Sequence, residues 1–342
     1  MPRLAPQFAA GFLAIAVLSG GCSASRETDG RSSAASPARV GSASRAERAR
    51  AEGPEADVVP VAVESHEPTP TAFPRAPTAD ERARYPWLPD GIAIRPLDQA
   101  IPAPPGFTRV AEAPQSFGAW LRKLPLRPAG TPVRAYDGDV LRSGDDPRIA
   151  AVVEVDVSPV DLQQCADSVI RMHAEWLWAT DQKTEIGYHF LSGDFAKYSD
   201  YAAGDRPVVD GQHIRFARSA KPNDDHETFR KYLDLVFTYA STISVARRSE
   251  TLTRADLQPG DFVVLPGGPG HAILILDVAV DAKGHKLALL GQGYMPAQDF
   301  QVLHAGQADG NVGPWFSLDG DGIDTPFWPA PFPWSSLRRM RG

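Results

Sequence analysis

Two long apolar runs in the last third of the chain, separated by a short polar turn, constrain the fold more than any other feature. His271 to Val280 (HAILILDVAV) and Lys286 to Gln292 (KLALLGQ) flank a turn at Asp281 to Gly284. Apolar and β-branched runs bounded by glycine and polar residues predict strands, and the short connection predicts an antiparallel hairpin. Asp261 to Leu265, followed by the glycine- and proline-rich turn Pro266 to Gly270, predicts a third strand. We therefore expect an antiparallel sheet in this region.

Helices are predicted before this sheet. Ser158 followed by Pro159 and Asp161 is typical of a helix start, and apolar residues at helical spacing continue to about Ala179. Thr228 to Ser244 predicts a second amphipathic helix, and Ser116 is placed to cap a short helix that ends near Leu124.

The expected fold class is α+β, with a helix packed on an antiparallel sheet and an additional β-rich N-terminal part. That part includes a predicted strand at Ile149 to Val157. We expect one globular domain at residues 85–342, with a catalytic-like core at about 158–300. The proline- and tryptophan-rich tail from Thr325 to Trp334 is unsuited to a central strand and is expected to wrap the surface.

The first 84 residues have compositions that do not build a core. Residues 1–21 combine Arg3, an apolar run from Phe8 to Leu18 and small residues, which predicts an export signal peptide. The apolar run is about half of the ~20 residues that a membrane-spanning helix needs. Residues 22–84, rich in Ser, Ala, Pro, Glu and Arg, predict a disordered tether.

The sequence Leu18-Ser19-Gly20-Gly21-Cys22 resembles the lipobox at which bacterial lipoproteins are acylated. Leu18 stands four residues before Cys22, whereas the usual pattern places the aliphatic residue three before. The resemblance implies a membrane partner reached through lipidated Cys22, and Ser23 then favours an outer-membrane lipoprotein of the cell envelope that faces the periplasm. The alternative is an ordinary cleaved signal with an incidental cysteine.

The chain has two cysteines, and acylation of Cys22 leaves Cys165 as the sole thiol of an exported protein. Cysteines normally pair in oxidising compartments, so an unpaired thiol there is either buried and inert or retained for chemistry. The net charge of -7, without a basic block in the body of the chain, argues against nucleic acid as a partner.

Three short motifs carry a resemblance to papain-like cysteine hydrolases of the NlpC/P60 and CHAP families, which cleave peptidoglycan. These motifs are Gln164-Cys165-Ala166, Gly270-His271-Ala272 and Gly291-Gln292-Gly293. The resemblance implies a papain-like (NlpC/P60-type) core in which Cys165 is the nucleophile, His271 the base and Gln292 the group that orients the histidine. It also implies an amidase or peptidase acting on peptidoglycan or another envelope amide, without a cofactor.

From Tyr85 to the tail the chain is also similar to a family of bacterial lipoproteins known as domain of unknown function 4846. Gln164-Cys165-Ala166-Asp167, Gly270-His271-Ala272 and Gln292 to Gln298 (QGYMPAQ) carry this second resemblance. It implies one domain and supplies no activity.

The proposed triad depends on the register of the hairpin. If Ala272 pairs with Gly293, His271 lies opposite Tyr294 and diagonal to Gln292, within reach of a long side chain. A slip by one residue places glycines on that face instead. The backbone N–H of Cys165 is expected to bind the oxyanion, with Gln164 as a further donor and Tyr294 as a substrate contact.

Alternatives to this hydrolase stay open. With a helix start at Ser158, Cys165 lies one and a half turns inside the helix, where a packed core thiol with a raised pKa is expected. Only a start near Gln163 lets the helix dipole favour the thiolate. If Cys165 is such a buried core thiol, the chain is a non-catalytic lipoprotein that binds glycan or a protein. His189, His213 and His226 lack metal-ligand spacing, so no metal site is assigned.

Overall fold

Nine strands in the described part of the chain form one antiparallel sheet, as expected for the C-terminal third. The computed structural model describes residues 74–308 and 310–341. The predicted signal peptide, the lipidation site Cys22 and the tether up to residue 73 lie outside the described residues. The strands are β1 (Phe107–Arg109), β2 (Ile149–Val152), β3 (Ser249–Thr251), β4 (Phe262–Leu265), β5 (His271–Asp281), β6 (Lys286–Gln292), β7 (Gln301–Leu303), β8 (Phe316–Ser317) and β9 (Leu337–Met340).

The strand order in this sheet is β3-β9-β4-β5-β6-β7-β2, with β1 paired to the second half of β5 and β8 paired to β6. The predicted hairpin is therefore its centre, and both strands have the predicted bounds to within one residue. The last strand in the chain, β9, lies between β3 and β4. Five two-stranded ribbons lie outside this sheet: Arg95–Pro96 with Pro125–Leu126, Val133–Arg134 with Val140–Arg142, Gly187–His189 with Phe195–Lys197, Asp205–Asp210 with His213–Arg218, and Gly322–Ile323 with Phe332–Pro333.

Seven α-helices occur in the described residues. They are α1 (Ala79–Arg84), α2 (Leu97–Ala100), α3 (Phe117–Leu121), α4 (Cys165–Ala179), α5 (Tyr198–Ala202), α6 (His226–Tyr239) and α7 (Thr242–Arg247), with 3-10 turns at Lys183–Glu185, Arg254–Asp256 and Trp334–Ser336. Helix α1 lies in the segment for which the sequence predicts a tether, and an ion pair from Arg75 to Glu81 of 2.6 Å joins it to the preceding residues. None of the described helices is long and apolar enough to cross a membrane.

Both faces of β5 are buried, which explains its nearly uninterrupted apolar sequence. Ala272, Leu274 and Leu276 pack in the cluster that contains α4 and α6. Ile273 and Ile275 pack in a second cluster with residues of the C-terminal segment such as Phe332. The fold is thus mixed α+β with a mainly antiparallel sheet. The N-terminal part contributes β1 and β2 to this sheet.

Helix α4 begins at Cys165, seven residues after the predicted start at Ser158, so the placement of Cys165 inside the helix was wrong. The predicted cap acid Asp161 instead accepts hydrogen bonds from Gln164 Nε2 (3.0 Å) and from the N–H of Ala297 (2.7 Å). The buried Gln163 side chain accepts a hydrogen bond of 3.2 Å from Arg171. These contacts accompany a non-helical backbone at residues 158–164. Local helix propensity does not indicate the contact with Ala297, which lies far away in the sequence.

Candidate active site around Cys165 and His271

Cys165 is the first residue of α4, the position at which a helix dipole acts most strongly on a thiolate. Gln164 is its N-cap residue, and the N–H of Gln164 donates to Oδ2 of Asp167 at 3.2 Å. Unpaired N–H groups and the positive end of the dipole at a helix N-terminus favour negative charge. Cys165 is half-buried and forms no disulfide.

The thiol lies against the peptide bond that joins His271 to Ala272. Burial is the main influence on it and raises its pKa to about 11, even though the N–H groups of Ala272, Ala166 and Cys165 itself favour the thiolate. A negative charge on Asp167 also raises this pKa. At neutral pH the sulfur therefore carries a proton in this structure.

His271 and Gln292 are in direct contact. The pairs Leu274 with Gly291 and Ile275 with Leu290 set the register that places His271 opposite Tyr294 and diagonal to Gln292. His271 Nε2 and Gln292 Oε1 are 2.7 Å apart. Because an amide oxygen only accepts, the ring carries its proton on Nε2, and Nδ1 is left as the basic nitrogen.

Aromatic rings from the C-terminal segment cover the histidine. Trp328 stacks on the imidazole with a centroid distance of 5.1 Å and an interplanar angle of 15°, and Phe332 lies 6.0 Å away. We call residues 325–332 the C-terminal cover. Only 2% of His271 is exposed, and this burial lowers its pKa to about 4, against the opposing effect of the Gln292 hydrogen bond. The ring is therefore neutral at neutral pH.

The Cys165 thiol lies next to the peptide bond between His271 and Ala272, but it is not hydrogen-bonded to the His271 side chain. In the described residues no hydrogen bond connects Cys165 Sγ with the imidazole, and Nδ1 of His271 has no partner. With the pKa of the thiol near 11 and that of the imidazole near 4, the proton stays on the sulfur in this covered state. Both groups are therefore uncharged at neutral pH in this arrangement.

Comparison with family models supplies an assignment for most of the chain. Residues 97–339 match the family described as Domain of unknown function (4846). The chain belongs to this family. A search of curated proteins found no match, and neither did a search of solved structures. Cys165, His271 and Gln292 all lie inside the matched part of this 4846 domain.

Gln164 and Tyr294 have other partners in the 4846 domain than those that the sequence predicts. The side-chain amide of Gln164 donates to Asp161, so one of its two N–H groups is not available to bind an oxyanion. The Tyr294 hydroxyl donates to the carbonyl of Phe327 at 3.0 Å, and its ring meets His271 edge-on at 4.8 Å. Tyr294 thus attaches the C-terminal cover over the histidine.

Gly293 allows the first turn of α4 to approach the end of β6. A Cβ atom at this position would lie 2.1 Å from Ser168 Oγ and 3.1 Å from the carbonyl oxygen of Gln164. Ser168 is fully buried, and its hydroxyl donates to that same carbonyl at 2.8 Å. The missing side chain is therefore what brings the N-terminus of α4, and with it Cys165, against β5 and β6.

Sequence reasoning did not identify two residues that shape this site. Trp328 belongs to the tail that was expected to wrap the surface, and no local spacing in the sequence indicates that it stacks on His271. Asp167 is buried with one oxygen lacking a partner, and burial raises its pKa to about 8. The feature of the sequence that could have indicated Asp167 is its position two residues after Cys165.

Proposed function

We propose that this protein is a cysteine-dependent hydrolase of amide bonds in the bacterial cell envelope, with a papain-like arrangement of catalytic groups. The observation that carries the proposal is the His271–Gln292 hydrogen bond of 2.7 Å, beside a thiol at the first residue of a helix. Gln292 fixes the proton on Nε2 and leaves Nδ1 to act as base, and the helix terminus favours the thiolate that forms. The resemblance to NlpC/P60 and CHAP hydrolases assigns the same three roles.

In the proposed reaction the Cys165 sulfur attacks the substrate carbonyl while Nδ1 of His271 takes the thiol proton. The S–C bond forms, and the N–H of Cys165 stabilises the negative charge on the carbonyl oxygen. The C–N bond then breaks, and the imidazolium returns the proton to the departing amine. Water hydrolyses the thioester with His271 again as base, which regenerates the thiol and releases a carboxylic acid.

The proposed reaction requires a change at His271. His271 is covered by Trp328 and is 2% exposed, and its low pKa makes it a poor base. Displacement of the C-terminal cover hydrates the ring and raises its pKa toward neutrality. Substrate binding in place of the cover is therefore part of the proposed mechanism.

The substrate and location follow from the predicted export segment. We propose that Cys22 is lipidated and that the protein faces the periplasm from the outer membrane. Peptidoglycan stem peptides are the amides within reach there. The sequence features behind this step are the apolar run before residue 19 and the lipobox-like Leu18 to Cys22.

The decisive experiment combines selective labelling with hydrolysis. Native full-length protein is treated with iodoacetamide, and the release of amines from purified peptidoglycan is measured in parallel. We expect Cys165 to be alkylated without denaturant, and more rapidly in Trp328→Ala, in which the C-terminal cover is opened. The rate in that variant should fall when His271→Ala is added. Cys165→Ala should abolish hydrolysis and leave the unfolding curve unchanged. Alkylation that requires denaturant, or hydrolysis that survives Cys165→Ala, would refute the proposal.

A second candidate is a non-catalytic envelope lipoprotein that binds glycan or a protein partner. The absence of a thiol–imidazole hydrogen bond among the described residues and the raised pKa of Cys165 favour it. Under this alternative, Cys165→Ala leaves both folding and the cell-envelope phenotype unchanged. The two candidates therefore differ in the phenotype of one substitution.

A further inference from the structure

A second concave site lies on the same helix as Cys165 but is separate from it. A cavity of about 220 Å³ opens between α3, the C-terminal half of α4 and the turn before β4. His173 lines it, eight residues and about 12 Å along the helix axis from Cys165. The cavity contains neither Cys165 nor His271 and is independent of the proposed hydrolase.

Aromatic side chains form one wall of this cavity. Phe117 and Trp176 stack with a centroid distance of 5.2 Å and an interplanar angle of 28°. The indole N–H of Trp176 donates to the carbonyl of Gln115 at 2.9 Å, which fixes the ring in place. Met340 also lines the cavity. Flat, polarisable surfaces of this kind accept an apolar ring, and their π faces attract cations.

The charge inside the cavity is negative and uncompensated. Asp261 forms two hydrogen bonds with Arg339, at 2.6 and 2.9 Å, so this pair is neutral. Glu112 is half-buried, and its carboxylate accepts one hydrogen bond of 2.6 Å from Ser116, with no cationic partner among the described residues. Gly118 leaves room for it, since a Cβ there would lie 2.6 Å from Glu112 Oε2.

His173 adds a buried polar group to this cavity. Its ring is 2% exposed, and Nδ1 contacts the Tyr188 hydroxyl at 2.9 Å, whereas Nε2 has no hydrogen-bond partner in the described structure. Burial lowers its pKa to about 3, so the ring stays neutral and does not cancel the charge of Glu112. An unpartnered nitrogen on a buried ring that lines a cavity is a group a ligand can satisfy.

We propose that this cavity binds a small organic cation, an ammonium group on a flat apolar body, with the ammonium at Glu112 and the body against Phe117 and Trp176. At about 30 Å³ per water, the volume corresponds to roughly seven waters, which suits one six-membered ring with a short amino arm. A metal ion fits poorly, because the described residues contain no group of three histidine, cysteine or acidic side chains that would hold one.

The test uses benzylammonium as probe and benzoate as its anionic counterpart, measured by calorimetry on the full-length protein at pH 7.5. We expect saturable binding of benzylammonium, no binding of benzoate, and at least a tenfold loss of affinity in Glu112→Gln. This substitution keeps the shape of the side chain and its hydrogen bond to Ser116. Glu227→Gln, an exposed acid on α6 that does not line the cavity, is the matched control and should bind as wild type does.

Three results would overturn the inference. They are equal binding of the two probes, unchanged affinity in Glu112→Gln, and no saturable binding of benzylammonium up to about 10 mM. Because Cys165→Ala does not touch the cavity, it should bind benzylammonium as wild type does, whatever its effect on hydrolysis.

Discussion

Removal of the Trp328 ring should raise the pKa of His271 part of the way back toward its ordinary value. The ring lies flat on the imidazole, and burial lowers the pKa of His271 from 6.5 to about 4. That difference corresponds to about 3 kcal/mol against protonation. Trp328→Ala lets water reach one face of the ring, while Tyr294 and Phe332 still cover the rest. We expect the pKa to rise by at least about 1.

The pKa of His271 can be followed by NMR from the Cε1–H resonance, with His271→Ala used to assign it among the eight histidines. Trp334→Ala is the matched control, because this tryptophan belongs to the same C-terminal segment and donates to the Gly320 carbonyl at 2.7 Å without a ring contact to His271. An unchanged pKa in Trp328→Ala, or an equal rise in Trp334→Ala, would contradict the burial argument.

The same substitution should change how stability depends on pH. The folded protein holds His271 neutral, so the unfolded chain binds a proton first as the pH falls from 6.5 toward 4. The contribution of His271 to stability is therefore complete above pH 6.5 and is lost over that window, by up to about 3 kcal/mol. In Trp328→Ala the loss attributable to His271 should be smaller, which urea unfolding at pH 7 and pH 4.5 measures.

Three further substitutions test buried contacts, two of them beside Cys165 and one elsewhere in the sheet. Gly293→Ala should cost about 1–3 kcal/mol in urea unfolding, because its Cβ would lie 2.1 Å from Ser168 Oγ. Ser168→Gly should recover part of this loss, and Gly320→Ala, whose nearest neighbour is 3.5 Å away, should have little effect. Asp277→Asn should cost about 3–5 kcal/mol, since it removes the buried charge between two arginines; a loss below about 1 kcal/mol would contradict a buried ion pair. Asp167→Asn should gain stability relative to wild type as the pH rises from about 4 to 8. Over this range the carboxyl loses its proton in the unfolded wild-type chain but keeps it in the folded protein, where its pKa is about 8. Free energies of unfolding that depend on pH in parallel in the two proteins would refute this.

The central hairpin was predictable because its signals are local. Apolar runs and a polar turn define β5 and β6, and the short connection sets the pairs next to it, such as Val280 with Lys286. The bulge between Ile275 and Asp277 then shifts the register by one residue and pairs Leu274 with Gly291. The contact between His271 and Gln292 depends on this shift and does not follow from the turn alone. The N-cap at Ser116 was equally local, and its hydroxyl accepts from the N–H of Ala119 at 3.1 Å.

The remaining features depend on contacts between distant segments. The start of α4 is displaced because Asp161 binds Ala297, more than a hundred residues away. A bulge between Ile275 and Asp277 alters the alternation along β5, so Asp277 meets Arg109 and Arg122. No periodicity in the sequence indicates this bulge or the stacking of Trp328 on His271.

The glycine- and polar-rich segment at residues 185–225 contains two ribbons and α5. Its short strands, such as Gly187–His189, are held by tertiary packing: Tyr188 is buried and contacts His173. Strands of three residues carry too little alternation to be recognised from the sequence.

Strand β9 covers an edge of the sheet that would otherwise be open. Leu337–Met340 pair with β3 on one side and with β4 on the other. A chain that lacks these residues exposes the edge of β4 to other strands, and such edges promote aggregation. Loss of this one short strand would therefore convert a paired strand into a site at which copies of the chain can associate.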